Sequence, residues 1–340
     1  MAPPDSGTLS LGVLGCGNFG RGLAAAFART PRVRVVACAD TNPEAAAACA
    51  SAIPGARSAA PEALLAAADV EAVAIATPNA AHRECALAAL AAGKHVWCEK
   101  PMALSVEDCD AMLEAARRAG PAVRFTVGHM QRHFPLLAAV REAVAAGAVG
   151  RPAMVTLTRR EYLKRAPGWL RRRAVVGGLQ FQSSVHEFDW LRSAFGEVAA
   201  VRAVGVPAPL QAGLDFPDGV IVQLEFASGC VGALAACMTD FAAAYRGEIN
   251  GAEGSLHFDL LTGRYRLARP DGGPREVAVP AGALREGGGA GAARARGDFV
   301  AWVLDGTAPA VTARDGRQAV AIACAVTESL ATGRPVAVAR

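Results

Sequence analysis

Short apolar runs alternate along the first part of the chain with stretches whose apolar positions recur at helical spacing. Leu9–Leu14 reads as a strand and residues 18–29 as a helix, then Val33–Ala39 as a β-branched strand and residues 43–52 as an alanine-rich helix. A helix over 61–68, a strand over 72–76, a helix over 81–92, a strand ending at Cys98, a helix over Val106–Ala119 and a strand over 123–127 continue the series. Gly93 and Gly120 stand where helix C-caps are expected. Apolar strands without polar alternation, each linked to the next by a helix, predict an α/β, doubly wound parallel sheet covered on both faces.

The pattern changes near residue 130. After a helix over 135–146 come strand-like segments over 153–158, 198–204, 220–226, 230–237, 247–251, 255–259 and 265–269, joined by turns such as Ala227-Ser228-Gly229. This predicts an open, mostly antiparallel sheet, with helices over 292–304 and 316–332 closing the chain. The domains expected are 1–128 and 129–340. Residues 282–291 are glycine-rich and read as a loop, either a lid or a plain tether.

With 340 residues, two domains are the natural division. Charged residues make up 19% and the formal net charge is +4, which fits a globular protein and gives no concentrated basic footprint for nucleic acid. No apolar run approaches the roughly 18–20 residues needed to span a bilayer, and the N-terminal residues lack the basic and apolar regions of a signal peptide, so a cytoplasmic location without membrane association is expected. The nine cysteines form no Cys-x-x-Cys pair and no Cys/His group at zinc spacing; they read as reduced, small apolar residues, and no metal site is expected.

Candidate chemistry begins at Gly15-Cys16-Gly17-Asn18-Phe19-Gly20, where the first strand meets the first helix. Backbone N–H groups and the positive end of a helix at such a turn face a pyrophosphate. Asp40 ends the next strand, twenty residues past Gly20, where a carboxylate binds adenosine ribose hydroxyls, and Thr41 brings no arginine for a 2′-phosphate; NAD is therefore expected over NADP. The alternative reading of Asp40 is a cap for the helix starting near Pro43. Lys100 closes a later strand of the same sheet in Glu99-Lys100-Pro101, at the end where ligands of such sheets gather.

In combination, the glycine turn, Ala76-Thr77-Pro78-Asn79 with His82, residues 93–101, Gly128-His129-Met130-Gln131-Arg132, and Gly177-Gly178 followed by His186 and Asp189 are specific. Over nearly its whole length the chain resembles the glucose-fructose oxidoreductase, inositol dehydrogenase and rhizopine-catabolism (Gfo/Idh/MocA) family of NAD(P)-dependent oxidoreductases. The resemblance implies a Rossmann domain followed by an α+β domain whose open sheet packs on that of another subunit, hence a homodimer or homotetramer. It adds Thr77, Pro78, Asn79, His82, Glu99 and Lys100 to the cofactor site and places Met130 and Gln131 at the substrate pocket.

The resemblance makes Lys100 and His186 the catalytic pair. Taking hydride from a secondary alcohol leaves a carbonyl only if a base takes the hydroxyl proton, and a neutral histidine with an ordinary pKa of about 6.5 suits that task. Lys100 would hydrogen-bond the same oxygen and stabilise the developing alkoxide. Asp189, three residues on, would orient the imidazole or tie its helix to the sheet. Many family members carry Asp four residues before this histidine; here it is Gln182, which cannot accept a proton and reads as a hydrogen-bonding group for the substrate.

Tyr162 and Trp169 are expected to stack on sugar faces. The basic stretch from Arg159 to Arg173 reads either as recognition of an anionic substrate or as a solvated loop. The activity expected is NAD-dependent oxidation of a secondary hydroxyl in a small polyhydroxylated substrate, a sugar, cyclitol or glycosylated small molecule of the kind antibiotic-sugar pathways use, or the reverse. Two alternatives share the fold: a redox-neutral glycosidase or lyase that uses bound NAD transiently, and a dinucleotide-sensing regulator, which needs neither His186 nor Lys100.

Overall fold

The computed structural model describes residues 7–162, 168–270, 272–278 and 289–340. The chain forms two compact units, Met1–His129 with Ala293–Arg317 and Met130–Ala292 with Gln318–Arg340. A boundary at 128/129 alone therefore misses the return of Ala293–Arg317 to the first unit. Packing explains the return: Trp97 meets Phe27 edge-on at 5.6 Å between ring centroids and Phe299, from the returning segment, at 5.9 Å.

Six parallel strands build the first sheet: β1 (Leu9–Leu14), β2 (Val33–Ala39), β3 (Arg57–Ala59), β4 (Ala72–Ile75), β5 (His95–Cys98) and β6 (Phe125–Val127). Their order is β3-β2-β1-β4-β5-β6, so the direction of winding reverses between β1 and β4. Side chains of β1 and β4 are buried along their whole length, as strands covered on both faces require. In open sheets of this kind ligands bind beyond the carboxyl ends of the strands at the reversal. The glycine turn follows β1 there, and Thr77-Pro78-Asn79 lies just past β4. Only β3, too short and polar to stand out as a strand, was absent from the expected series.

The second sheet contains β7 (Pro152–Tyr162), β8 (Val198–Gly205), β9 (Gly219–Phe226), β10 (Val231–Cys237), β11 (Thr239–Gly251), β12 (Gly254–Asp259), β13 (Arg264–Arg269), β14 (Gly272–Ala278) and β15 (Val336–Ala337). The order is β14-β13-β12-β11-β7-β10-β9-β8-β15. One pairing departs from the antiparallel expectation: β7 and β10 run parallel, because the chain leaves β7 through the helices and returns by way of β8 and β9 before reaching β10. The strands β14 and β15 were not foreseen, and a strand rather than a helix ends the chain. Residues 282–288 of the glycine-rich segment lie outside the described residues, and 289–291 begin the helix Gly289–Asp305.

One face of this sheet is apolar and covered. Trp190 and Phe195, from the helix Val185–Phe195, pack on Phe258 of β12 and Phe226 of β9. The opposite face carries Met154, Val204, Ile221 and Val231, which are 44%, 67%, 59% and 50% exposed.

Candidate active site

In the first unit, the turn after β1 is built for close approach of backbone. Gly15 has φ +93°, and a Cβ there would lie 2.6 Å from the Ala76 carbonyl group. A Cβ on Gly20 would sit 1.8 Å from the Gly15 oxygen, so the first turn of the helix Asn18–Ala28 can rest on the loop only without a side chain. A Cβ on Gly17, by contrast, would meet nothing within 4 Å: the tip is open, and Gly17, Asn18 and Phe19 are exposed. Free N–H groups at an open helix N-terminus fit a pyrophosphate.

Asp40 is anchored rather than capping. Its Oδ2 accepts from Cys16 N at 2.7 Å and its Oδ1 from Asn42 N at 2.9 Å, so the carboxylate joins the glycine turn to the end of β2. The helix Pro43–Ser51 has its own cap, Asn42, whose side chain accepts from Glu44 N and Ala45 N. Oδ1 also accepts from Thr41 Oγ1 at 3.5 Å, so Oδ2 is the oxygen that retains a lone pair for a ribose hydroxyl.

His82, 1% exposed, bridges two loops: Nδ1 lies 2.7 Å from Pro101 O and Nε2 3.0 Å from Thr77 O. Burial pushes its pKa down, and nearby Lys100 adds to this. The ring thus joins the loop of Thr77-Pro78-Asn79 to the one that carries Lys100, which stands half-buried between Glu99 and a cis Pro101. Glu99 is buried; Oε1 accepts from the Trp97 indole N–H at 3.0 Å, and Oε2 has no hydrogen-bond partner among the described residues. Burial raises its pKa. Gly128 faces it so closely that a Cβ there would lie 3.1 Å from both carboxylate oxygens.

In the second unit, His186 opens the helix Val185–Phe195, its N–H donating to Ser183 O at 3.3 Å. Asp189 does not orient it: Arg132 donates to both Asp189 oxygens, at 2.8 and 2.6 Å, and both side chains are buried. The aspartate ties the helix to the short 3₁₀ segment Met130–His133, not to the sheet.

A second buried network surrounds Glu187, which is wholly inaccessible. Its Oε1 accepts from Gln131 Nε2 at 2.6 Å, from an Arg159 guanidinium nitrogen at 2.9 Å and from Tyr245 OH at 3.2 Å. The Tyr245 hydroxyl also lies 2.8 Å from Gln131 Oε1. Burial and the Glu187 charge push the Tyr245 pKa well up, keeping the phenol a donor. Burial alone would lower the Arg159 pKa, but Glu187 and Glu161 outweigh it and raise it. Register explains the assembly, since β11 sets Tyr245 directly opposite Arg159 of β7. Glu187 had no assigned role in the sequence reading, and Arg159 and Glu161 entered it only within the basic stretch, though their i, i+2 spacing on one strand already put them on one face.

The expected substrate residues separate. Gln131 is 4% exposed, its amide engaged by Glu187 and Tyr245. Met130 and Gln182 are half-buried, Gln182 at the end of the short helix Leu179–Gln182. Tyr162 shares strand parity with Thr158 and Arg160 and stacks on Phe241, ring centroids 4.4 Å apart. Alternation puts it on the face away from the His186 helix, against its expected place in a pocket wall. Trp169 is 44% exposed on the segment Gly168–Arg171. Lys164 and Arg165 of the basic stretch lie outside the described residues.

These features have counterparts in known proteins. Residues 9–129 match the model of an oxidoreductase family NAD-binding Rossmann fold, and residues 141–338 that of the family's C-terminal alpha/beta domain. A 1,5-anhydro-D-fructose reductase from Ensifer adhaerens is 37% identical over 57% of this chain and 59% of its own, so this chain's match spans under two thirds of that relative. Inositol 2-dehydrogenase 2 of Saccharopolyspora erythraea is 31% identical over 96% of this chain and 94% of its own. A levoglucosan dehydrogenase, solved in complex with NADH and levoglucosan, superposes with a TM-score of 0.88 at 28% identity, covering 98% of this chain and all of that one. With both domain models matched across most of its length, the chain belongs to the Gfo/Idh/MocA oxidoreductase family.

Proposed function

We propose that the protein is an NAD-dependent dehydrogenase that oxidises a secondary hydroxyl of a sugar, cyclitol or glycosylated small molecule to a ketone, or reduces the ketone. The glycine cradle with its open tip carries this reading, because it has the shape of a pyrophosphate site and lies in one sheet with Asp40 and Lys100 at strand ends. Bound there, NAD supplies the hydride acceptor.

The backbone of Gly15, Gly17, Asn18, Phe19 and Gly20 holds the pyrophosphate, and Asp40 the adenosine ribose, which favours NAD over NADP. Thr77, Pro78, Asn79 and Glu99 frame the rest of the cofactor site, with His82 holding their loops in register. Neutral His186 takes the hydroxyl proton, and the Lys100 ammonium stabilises the negative charge that develops on the substrate. Gln182 and Met130 contact the substrate; Gln131, fully engaged in the Glu187 network, positions its neighbours instead.

A homodimer or homotetramer forms through the open face of the second sheet. Register sets Val204 beside Ile221 and Val231 beside Met154 there, an exposed apolar patch that a second copy would cover. Among the described residues no helix is long and apolar enough to cross a membrane, and a cytoplasmic location is part of the proposal.

The test is NADH formation across polyols, sugars and aminocyclitol glycosides. Turnover with NADH accumulation and a ketone product is expected. Turnover of a glycoside without net NADH would point to the redox-neutral alternative, and dinucleotide binding without any turnover to a sensor.

A further inference from the structure

The turn that leads into His186 is flanked by a charged trio whose balance bears on the substrate. Arg159 reaches it from β7: one guanidinium nitrogen contacts Glu187 Oε1 at 2.9 Å and Ser183 O at 3.3 Å, and the other lies 3.3 Å from Glu161 Oε1. Ser183 Oγ donates to Glu161 Oε1 at 3.0 Å, and the Ser183 carbonyl accepts from His186 N. Glu161 is therefore pinned to the residue three before His186. Its side chain is 42% exposed, whereas that of Glu187 is wholly buried.

One cation faces two carboxylates in this trio, so the group leaves a net negative charge whose accessible member is Glu161. Of the other described arginines of the basic stretch, three are engaged elsewhere. Arg160 has the opposite strand parity and lies 3.9 Å from Asp240; Arg171 donates to Ala212 O; Arg172 lies 3.9 Å from Asp215. Arginines already engaged in this way make a poor anion site.

We propose that Glu161 is a specificity residue of the reaction, accepting a hydrogen bond from a hydroxyl or ammonium group of the substrate, so that the site takes neutral or amino-bearing polyols and rejects uronates and sugar phosphates. This rests on the dehydrogenase reading through the role given there to His186: a substrate whose reacting hydroxyl meets His186 brings its neighbouring ring positions to the turn that Glu161 flanks.

The experiment measures binding, without turnover, of D-glucosamine, D-glucose and D-glucuronate to the full-length protein saturated with NADH. Calorimetry at about pH 6.5 keeps the amine protonated and the carboxylate ionised. The expected order is glucosamine, glucose, glucuronate, with at least about tenfold between the first and last, the size of one charged contact at a partly exposed site. In E161Q the ratio should fall to within about threefold, with melting temperature held and E161A behaving alike. Glucuronate binding as tightly as glucosamine, an unchanged ratio in E161Q, or binding of none of the three would overturn the proposal. A correct binding order without NADH formation from any polyol would instead count against the dehydrogenase reading, which separates the two failures.

Discussion

The glycine turn of the first unit and the turn before His186 in the second, the two candidate ligand sites, are made from opposite materials. The first is mostly backbone: Gly15, Gly17 and Gly20 contribute by lacking side chains, and its one charged anchor, Asp40, is held by main-chain N–H groups. The second is mostly side chain. Arg132 with Asp189, and Arg159 with Glu187, Gln131 and Tyr245, bring residues from four separate segments into a buried polar lattice. A backbone cradle suits a group common to many enzymes, since a pyrophosphate presents the same oxygens every time. On the proposed reading, a side-chain lattice holds the surface that distinguishes one polyol from another, and it is costly to disturb because each buried group depends on its partners.

The largest expected effects test whether both materials serve one reaction. Lys100→Ala and His186→Ala should each lower kcat by about 10²–10⁴-fold, the range for removing a positioned acid–base or electrostatic group. NADH affinity should hold within about tenfold in His186→Ala, because the cradle does not depend on that side chain. Stopped-flow turnover with fluorescence titration of NADH checks both. Near-normal kcat in either variant would remove the role assigned to that residue.

Next comes the lattice itself. Arg132→Ala strands the Asp189 carboxylate in a site with no solvent access and should cost about 3–5 kcal/mol of stability, read by denaturant unfolding. Arg132→Met with Asp189→Leu should recover most of the loss if the pair serves packing alone. A double variant as unstable as the single one would mean the pair fixes a conformation that apolar packing cannot.

This contrast also explains what the sequence reveals. Gly15, Gly20 and Asp40 follow from local spacing, because one strand–turn–helix–strand unit carries all three. The alternating runs of the first domain are legible for the same reason. The Glu187 network is not: Gln131, Arg159, Glu187 and Tyr245 are brought together by register between β7 and β11 and by the approach of a helix. Asp189 had two local readings, and its actual partner, Arg132, lies 57 residues away. Tyr162 went to the wrong wall because its expected role came from residue type, while strand parity decides which face it occupies.

A smaller effect sharpens the reading of the cradle. Asp40→Ala should shift the ratio of kcat/KM for NAD over NADP toward NADP by about tenfold, the loss of one carboxylate contact to ribose and of one repulsion toward a 2′-phosphate. Because Asp40 also anchors Cys16 N, affinity for both cofactors should weaken together, and the ratio isolates the ribose contribution. An unchanged ratio would make Asp40 an anchor of the turn and nothing more.

The smallest effect concerns Glu99, the one buried acid in the first unit's site, and its sign follows from linkage. Burial raises the folded-state pKa of Glu99 above its unfolded value of roughly 4.3, so this group is most favourable to the fold below that value and becomes less so as pH rises toward the folded pKa. Glu99→Gln keeps an oxygen for the Trp97 indole N–H and removes the titration. The variant should therefore be more stable than the parent near neutral pH, by about 1 kcal/mol, with the gap closing as pH falls toward about 4. Melting temperatures of parent and variant across that range measure it. A gap that widens on acidification would mean that the ionised carboxylate is favoured in the fold, held by the positive charges of Lys100 and Arg296 against the cost of burial. In that case even the backbone-built region relies on a buried ion, and its contrast with the His186 turn becomes one of degree.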